Sequence, residues 1–277
     1  LVDCPDMLHD AVWHMGFLRR IQVLRTFKRV SQLPDIAFHD LLGWLLDEPG
    51  PGRFLQHLHL LAEPQREVTA AAAIAARPRP ALHTLELDRT DDDRDLERMF
   101  AALPNLRTLH VTSGALPPSA IASLAASTKL HTLTFVQGDL TRELLQAIAH
   151  ATWPALQVLR LEHANMDALF ATVDDVAPLF DGRAPALRRL ALTGIAGGDE
   201  LCERLAPSPL FAQLEALDLS RGTLGERGAV ALLAFREHLG KLELVAEENY
   251  IPVALCEQLR AAVREASWRL AGRMGED

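Results

Sequence analysis

One spacing of apolar residues recurs along most of the chain: apolar-x-x-apolar-x-apolar. Regular copies stand at Leu55-Leu58-Leu60, Leu82-Leu85-Leu87, Leu106-Leu109-Val111 and Leu130-Leu133-Phe135. Four more follow at Leu156-Leu159-Leu161, Leu187-Leu190-Leu192, Leu214-Leu217-Leu219 and Leu239-Leu242-Leu244, and a weaker copy precedes them at Leu18-Ile21-Val23. The first leucines of the regular copies are separated by 27, 24, 24, 26, 31, 27 and 25 residues. A near-constant period of this length marks an array of stacked supersecondary units. Alternation at the end of each copy predicts a short strand.

The second half of each unit reads as a helix. Several units place another apolar residue ten positions after the first leucine, at Leu116, Leu140, Met166 and Leu224. Helical stretches follow at Asp95–Leu103, Ser119–Ala126, Thr141–His150 and Gly228–Phe235, with an Ala-rich stretch at Ala70–Ala76. In Thr141–His150, Leu144, Leu145 and Ile148 share one face, and Thr141 is a good N-cap type. Pro117-Pro118 sets the entry to its helix, whereas Pro104, Pro154 and Pro185 stop a helix before the next strand.

A lone strand–helix unit cannot bury its apolar face, so neighbours must stack, with motif positions 1, 4 and 6 pointing inward. Parallel strands stack about 4.8 Å apart, while packed helices need about 8–10 Å. The array must therefore curve. These residues resemble the leucine-rich-repeat family, in its ribonuclease-inhibitor-like class, over about residues 18–245. The resemblance implies an α/β curved solenoid, or horseshoe, with parallel strands on the concave face and helices on the convex face. The segment His14–Arg25 also resembles the entry to the repeats in bacterial members, which often carry another small domain upstream. The chain begins on Leu1 rather than Met, which leaves room for one. One departure concerns the ninth motif position, where the family often carries Asn or Cys. Here it holds Thr90, Gly114, Gly138, Ala164, Ile195 and Gly222, so no asparagine ladder is expected.

The ends of the array need covers. Residues 1–54 read as an N-terminal cap with Trp13, Trp44, the divergent first repeat and a helix near Asp35–Leu46. Residues 55–245 hold the regular repeats, and residues 246–277 a C-terminal helical cap, with a helix over about Val253–Leu270 and Trp268 as a core plug. The longest unit carries an insertion, about Ala168–Ala184, expected to project from the array.

Composition narrows the function classes. The chain has 277 residues, 28 Lys+Arg against 37 Asp+Glu, and a net charge of −9. An acidic chain with 5% aromatic residues argues against nucleic acid as the main ligand. Cys4, Cys202 and Cys256 form no disulfide framework and no zinc spacing, which fits a cytoplasmic protein. No apolar run approaches the roughly 20 residues of a membrane span.

Candidate binding residues come from columns across the concave strand face. One column runs Gln22, His59, Glu86, His110, Thr134, Arg160, Ala191, Asp218, Glu243, and another, two positions earlier, includes Arg20, His57, Thr84, Thr108 and Arg189. His59-Glu86-His110 on three adjacent strands has metal-ligand chemistry, but the outer histidines are about 9–10 Å apart at the backbone, which favours a hydrogen-bonded polar face. The run Asp91, Asp92, Asp93, Asp95, Glu97 lacks the Gly and Glu spacing of a calcium loop. Arg19, Arg20, Arg25, Lys28 and Arg29 form a basic cluster, read as solvated cap surface with an acidic protein as its alternative ligand.

No P-loop, nucleophile elbow or HExxH motif occurs. The expectation is a non-catalytic protein-recognition module without cofactor, binding a protein partner through His57, His59, Glu86, His110, Thr134, Arg160, Arg189, Asp218 and Glu243. The alternatives are a structural subunit that makes contact through its caps or the 168–184 insertion, and a metal-dependent site on the His-rich strands.

Overall fold

Each motif copy becomes a strand whose fourth and sixth positions face inward. The computed structural model describes residues 8–15, 17–24, 51–61, 70–88, 95–112, 116–138, 140–163 and 172–263. The chain divides into two units, Leu1–Thr132 and Leu133–Asp277.

The first unit holds strands β1 (Leu8–His14), β2 (Phe17–Leu24), β3 (His57–Leu61), β4 (Thr84–Asp88) and β5 (Thr108–Thr112), adjacent in chain order. Strands β2 to β5 are parallel and in motif register: Ile21 pairs with Leu58, Leu58 with Leu85 and Leu85 with Leu109. All four side chains are buried, as are the position-one leucines Leu55, Leu82 and Leu106. Helices α1 (Ala70–Ala75), α2 (Leu96–Ala101) and α3 (Pro118–Ala125) fill the return segments. Pro118 opens α3, where its missing N–H costs nothing.

The second unit holds β6 (Thr132–Gly138), β7 (Val158–His163), β8 (Arg189–Thr193), β9 (Ala216–Asp218) and β10 (Glu243–Val245). Leu159, Leu190, Leu217 and Leu244 pair in register and form a buried row of this unit. Its helices are α4 (Arg142–His150), α5 (Val173–Val176), α6 (Gly198–Leu205), α7 (Pro209–Gln213), α8 (Glu226–Leu233), α9 (Arg236–Leu239) and α10 (Val253–Ala262). Helix α4 forms as its pattern predicts: the Thr141 hydroxyl accepts from Leu144 N–H at 3.2 Å, and Leu144, Leu145 and Ile148 are buried. Trp153 closes that core, with Nε1–H donating to Ile148 C=O at 2.9 Å.

Three features differ from the sequence reading. The first is β1, which pairs antiparallel with β2 and lies outside the repeat pattern. The second is the long unit. Its described part does not project: Val173, Val176, Leu179 and Phe180 are buried. Their spacing gives one apolar face, and Asp175 ties the segment down, accepting from Thr172 N–H and Gln146 Nε2–H, both at 2.8 Å. The third concerns loop amides, which are satisfied without Asn at the ninth position. Asn249, ten positions after Leu239, is 3% exposed. Its Oδ1 accepts from Leu224 N–H at 2.9 Å, and its Nδ2 donates to Leu219 C=O at 2.9 Å and to Glu247 C=O at 3.2 Å. One unit earlier, Thr223 Oγ1 accepts from Gly197 and Gly198 N–H. Asp199 Oδ1 accepts from Gly225 and Gly228 N–H at 2.7 and 2.9 Å, capping α8 from the neighbouring helix, because Gly225 has no side chain to do so.

The expected helix near Asp35–Leu46, together with Trp44 and Trp268, lies outside the described residues. No described helix is long and apolar enough to cross a membrane.

Candidate functional site

Parallel pairing in register turns each motif position into a row of side chains with strand spacing. On the first unit, Thr84 lies between His57 and Thr108, and Glu86 between His59 and His110. Both rows lie two residues apart on the same strands, so they share a face. Glu86 is shared, but by the two histidines of β3. Its Oε1 is 2.7 Å from His57 Nε2, a close contact off hydrogen-bond alignment, and its Oε2 is 3.6 Å from His59 Nδ1. The sequence columns suggest His59 and His110 as the partners instead. The long His57 ring reaches diagonally, so strand register alone does not decide who meets Glu86.

Burial holds the His57 and His110 imidazoles below their ordinary range, although Glu86 pulls both upward. Arg20 adds to the depression at His57, and His59 adds to it at both rings. Among the described residues, no group of three or more His, Cys, Asp or Glu side chains is arranged to hold a metal ion. The depressed histidines predict a pH effect with a defined sign. The unfolded chain takes up these protons at higher pH than the folded one, so their stability contribution is lost as pH falls below about 6.5. Melting temperature should drop between about pH 7 and pH 5, and the H57Q/H110Q variant should show a shallower slope.

On the second unit, Arg160 donates to Glu162 Oε2 through Nε at 3.1 Å and Nη2 at 2.7 Å. Arg221 reaches the other oxygen, Oε1, and also donates to Thr193 Oγ1 at 3.3 Å. Burial pushes the Glu162 carboxyl up, but hydrogen bonds and charge from Arg160 and Arg221 outweigh it and hold it below the carboxylate range. Arg189 lies 3.9 Å from Glu243, and both are substantially exposed. Asp218 accepts from Ser220 N–H.

Thr134 is a correction: it is 7% exposed, because its short side chain does not rise above the sheet, and it offers little surface. Glu162, Thr193 and Arg221 are missing from the sequence reading. Glu162 was legible, standing two residues beyond Arg160 and thus on the same face. Arg221 was not, because it arrives from a loop residue with φ 57°.

Arg221→Ala should cost about 1–2 kcal/mol, since it strips one of two cationic partners from a buried carboxylate while its own guanidinium is partly solvated. Glu162 contributes fully above its ordinary pKa of 4.5 and loses that contribution as pH falls further, because its folded value is depressed. The variant should therefore lose less stability than wild type on acidification below about pH 4.5, measured by thermal melts across pH.

Apart from β1, parallel strands that repeat with the motif and return through helices define a leucine-rich-repeat fold of α/β class. No protein-family model matches the chain, and no curated protein matches it. Among solved structures, a Bacteroides fragilis protein superposes with TM-score 0.57 at 16% identity, covering 90% of this chain and 73% of its own. An internalin of Listeria monocytogenes gives TM-score 0.46 at 13% identity, over 87% and 71%. TLR13, solved in complex with ssRNA13, gives 0.46 at 19% identity, covering 84% of this chain and 33% of the receptor. At these identities the likeness concerns the fold alone.

Proposed function

We propose that the chain is a non-catalytic recognition module that binds a protein partner through its strand faces. The contact residues are His57, His59, Glu86 and His110 on the first unit, and Arg160, Arg189, Asp218 and Glu243 on the second. The observation that carries this reading is the character of those faces. Polar and charged side chains of both signs stand in rows fixed by parallel register, and Arg189 is exposed and Glu243 partly exposed. Such a surface is pre-organised, so a partner pays little ordering cost on the module's side. Its mixed charge gives orientation and selectivity.

The test uses substitutions that leave the Glu162 network intact. Thr108→Arg and Arg189→Glu each add bulk or reverse charge on one face. Quantitative affinity capture from cells that express the protein should lose one protein with these variants while melting curves stay within about 0.5 kcal/mol of wild type. Unchanged capture by both variants would sink the strand-face reading.

A second reading, assembly through the N-terminal cap, is favoured by one observation. Val12, Trp13, Met15 and Phe17 on the β1–β2 hairpin are exposed, Met15 at 85%. If W13S/M15S loses partners that the strand-face variants keep, the cap carries the contact.

A further inference from the structure

A third row of side chains lies at the entry edge of the strands in the first unit. Backbone hydrogen bonds define it. Gln56 N–H donates to Arg19 C=O, His83 N–H to Gln56 C=O, Arg107 N–H to His83 C=O and His131 N–H to Arg107 C=O, at 2.8–2.9 Å. The row reads Arg19, Gln56, His83, Arg107, His131, and exposed Lys129 flanks its far end. It contains no acidic residue.

Among the described residues, the three full cations here meet no carboxylate. Arg19 Nη2 donates to Gln56 Oε1 at 2.8 Å, and Lys129 Nζ donates to Asn105 Oδ1. Arg107 is exposed, with no carboxylate partner among the described residues. In the second unit, by contrast, Arg160, Arg204, Arg221 and Arg227 all face carboxylates. The local field is felt at His83, whose imidazole is pushed below its ordinary range by burial and then by Arg107 and Lys129. A chain of net charge −9 thus gathers positive charge, unpaired among the described residues, on one edge of its first unit.

We propose that this edge docks an acidic, extended segment of a protein partner, a contact separate from the strand faces. Spacing supports the extended form. Arg19 and Arg107 are three strands apart, about 14 Å at the backbone, and residues i and i+4 of an extended segment span about 13.6 Å. Carboxylates at those two positions would meet both guanidiniums. A nucleic-acid strand fits less well. Its continuous backbone charge would be repelled by the acidic remainder of the chain, and the row has no Phe, Tyr or Trp on which a base could stack, only the smaller rings of His83 and His131.

The experiment titrates the full chain with a labelled peptide of alternating Glu and Ser, and in parallel with a labelled oligouridylate of matching length. Wild type should bind the peptide at low salt and release it at about 1 M salt, where the screening length falls to about 3 Å. R107E/K129E should weaken binding by about tenfold or more, as should the milder R107Q/K129Q, while R189E binds as wild type does. That last result separates this edge from the strand-face reading, which stands or falls on Arg189 and Thr108. No peptide binding by wild type, binding by both double variants as tight as that of wild type, or tighter binding of the oligouridylate would overturn the proposal.

Discussion

Gly198→Ala is expected to destabilise the second unit by about 3 kcal/mol, at the upper end of ordinary overpacking. An added Cβ would stand 2.5 Å from Leu224 N, 2.8 Å from Leu224 Cα and 2.8 Å from Thr223 C. These are backbone atoms, so no rotamer change can relieve the contact. Helix α6 would have to withdraw from the loop of the next unit, and the hydrogen bond from Gly198 N–H to Thr223 Oγ1 would stretch with it. For a unit of this size a melting temperature lower by roughly 6–12 °C follows. Gly240→Ala is the matched control. Its φ is −61°, and its nearest atoms would lie at 3.9 Å, so it should leave stability unchanged or raise it by up to about 1 kcal/mol. Circular-dichroism melts of the two variants decide the matter, and equal curves would refute the close approach of α6 to the loop.

Asn249→Ala should rank next, at about 2–4 kcal/mol. It leaves the buried N–H of Leu224 and the C=O of Leu219 without partners, each orphan costing about 1–3 kcal/mol, with partial rescue by water. Asn249→Asp sharpens the reading. It keeps the acceptor for Leu224 but removes both donors and buries a charge, so it should not restore wild-type stability. Denaturant titration of both variants is the measurement. A loss below about 0.5 kcal/mol for the alanine variant would mean that the loop amides have other partners.

The strands were the most legible part of the chain. Leu58, Leu85 and Leu109 recur at one motif position, and parallel pairing makes that position a register mark, so sequence spacing translates directly into β3, β4 and β5. Helix α4 was legible for a local reason, a cap residue followed by an apolar face. What escaped depends on side chains that cross between units. Asn249 occupies a slot that elsewhere holds Leu116, Leu140 and Leu224, and a search for Asn at the ninth position passes it by. Strand β1 has no repeat spacing and pairs with the opposite polarity. The candidate face was legible in outline, since the rows follow from period two. Its contacts were not. Long side chains such as those of His57 and Arg221 reach diagonally or from loops, and Thr134 is too short to reach the surface.

The position of Asn249 also limits how this array could change in length. Deleting or duplicating the unit between Leu214 and Leu239 would keep every leucine in phase, so the hydrophobic core alone would tolerate it. The carboxamide, however, must still meet the amide of residue 224 or its substitute, and Asp199 must still meet the first turn of α8. A unit spliced in here would need its own Asn or Thr at the equivalent loop site. At this end of the chain, the number of repeats is therefore set by a few polar side chains that recognise their neighbours, rather than by the leucines that would accept any of them.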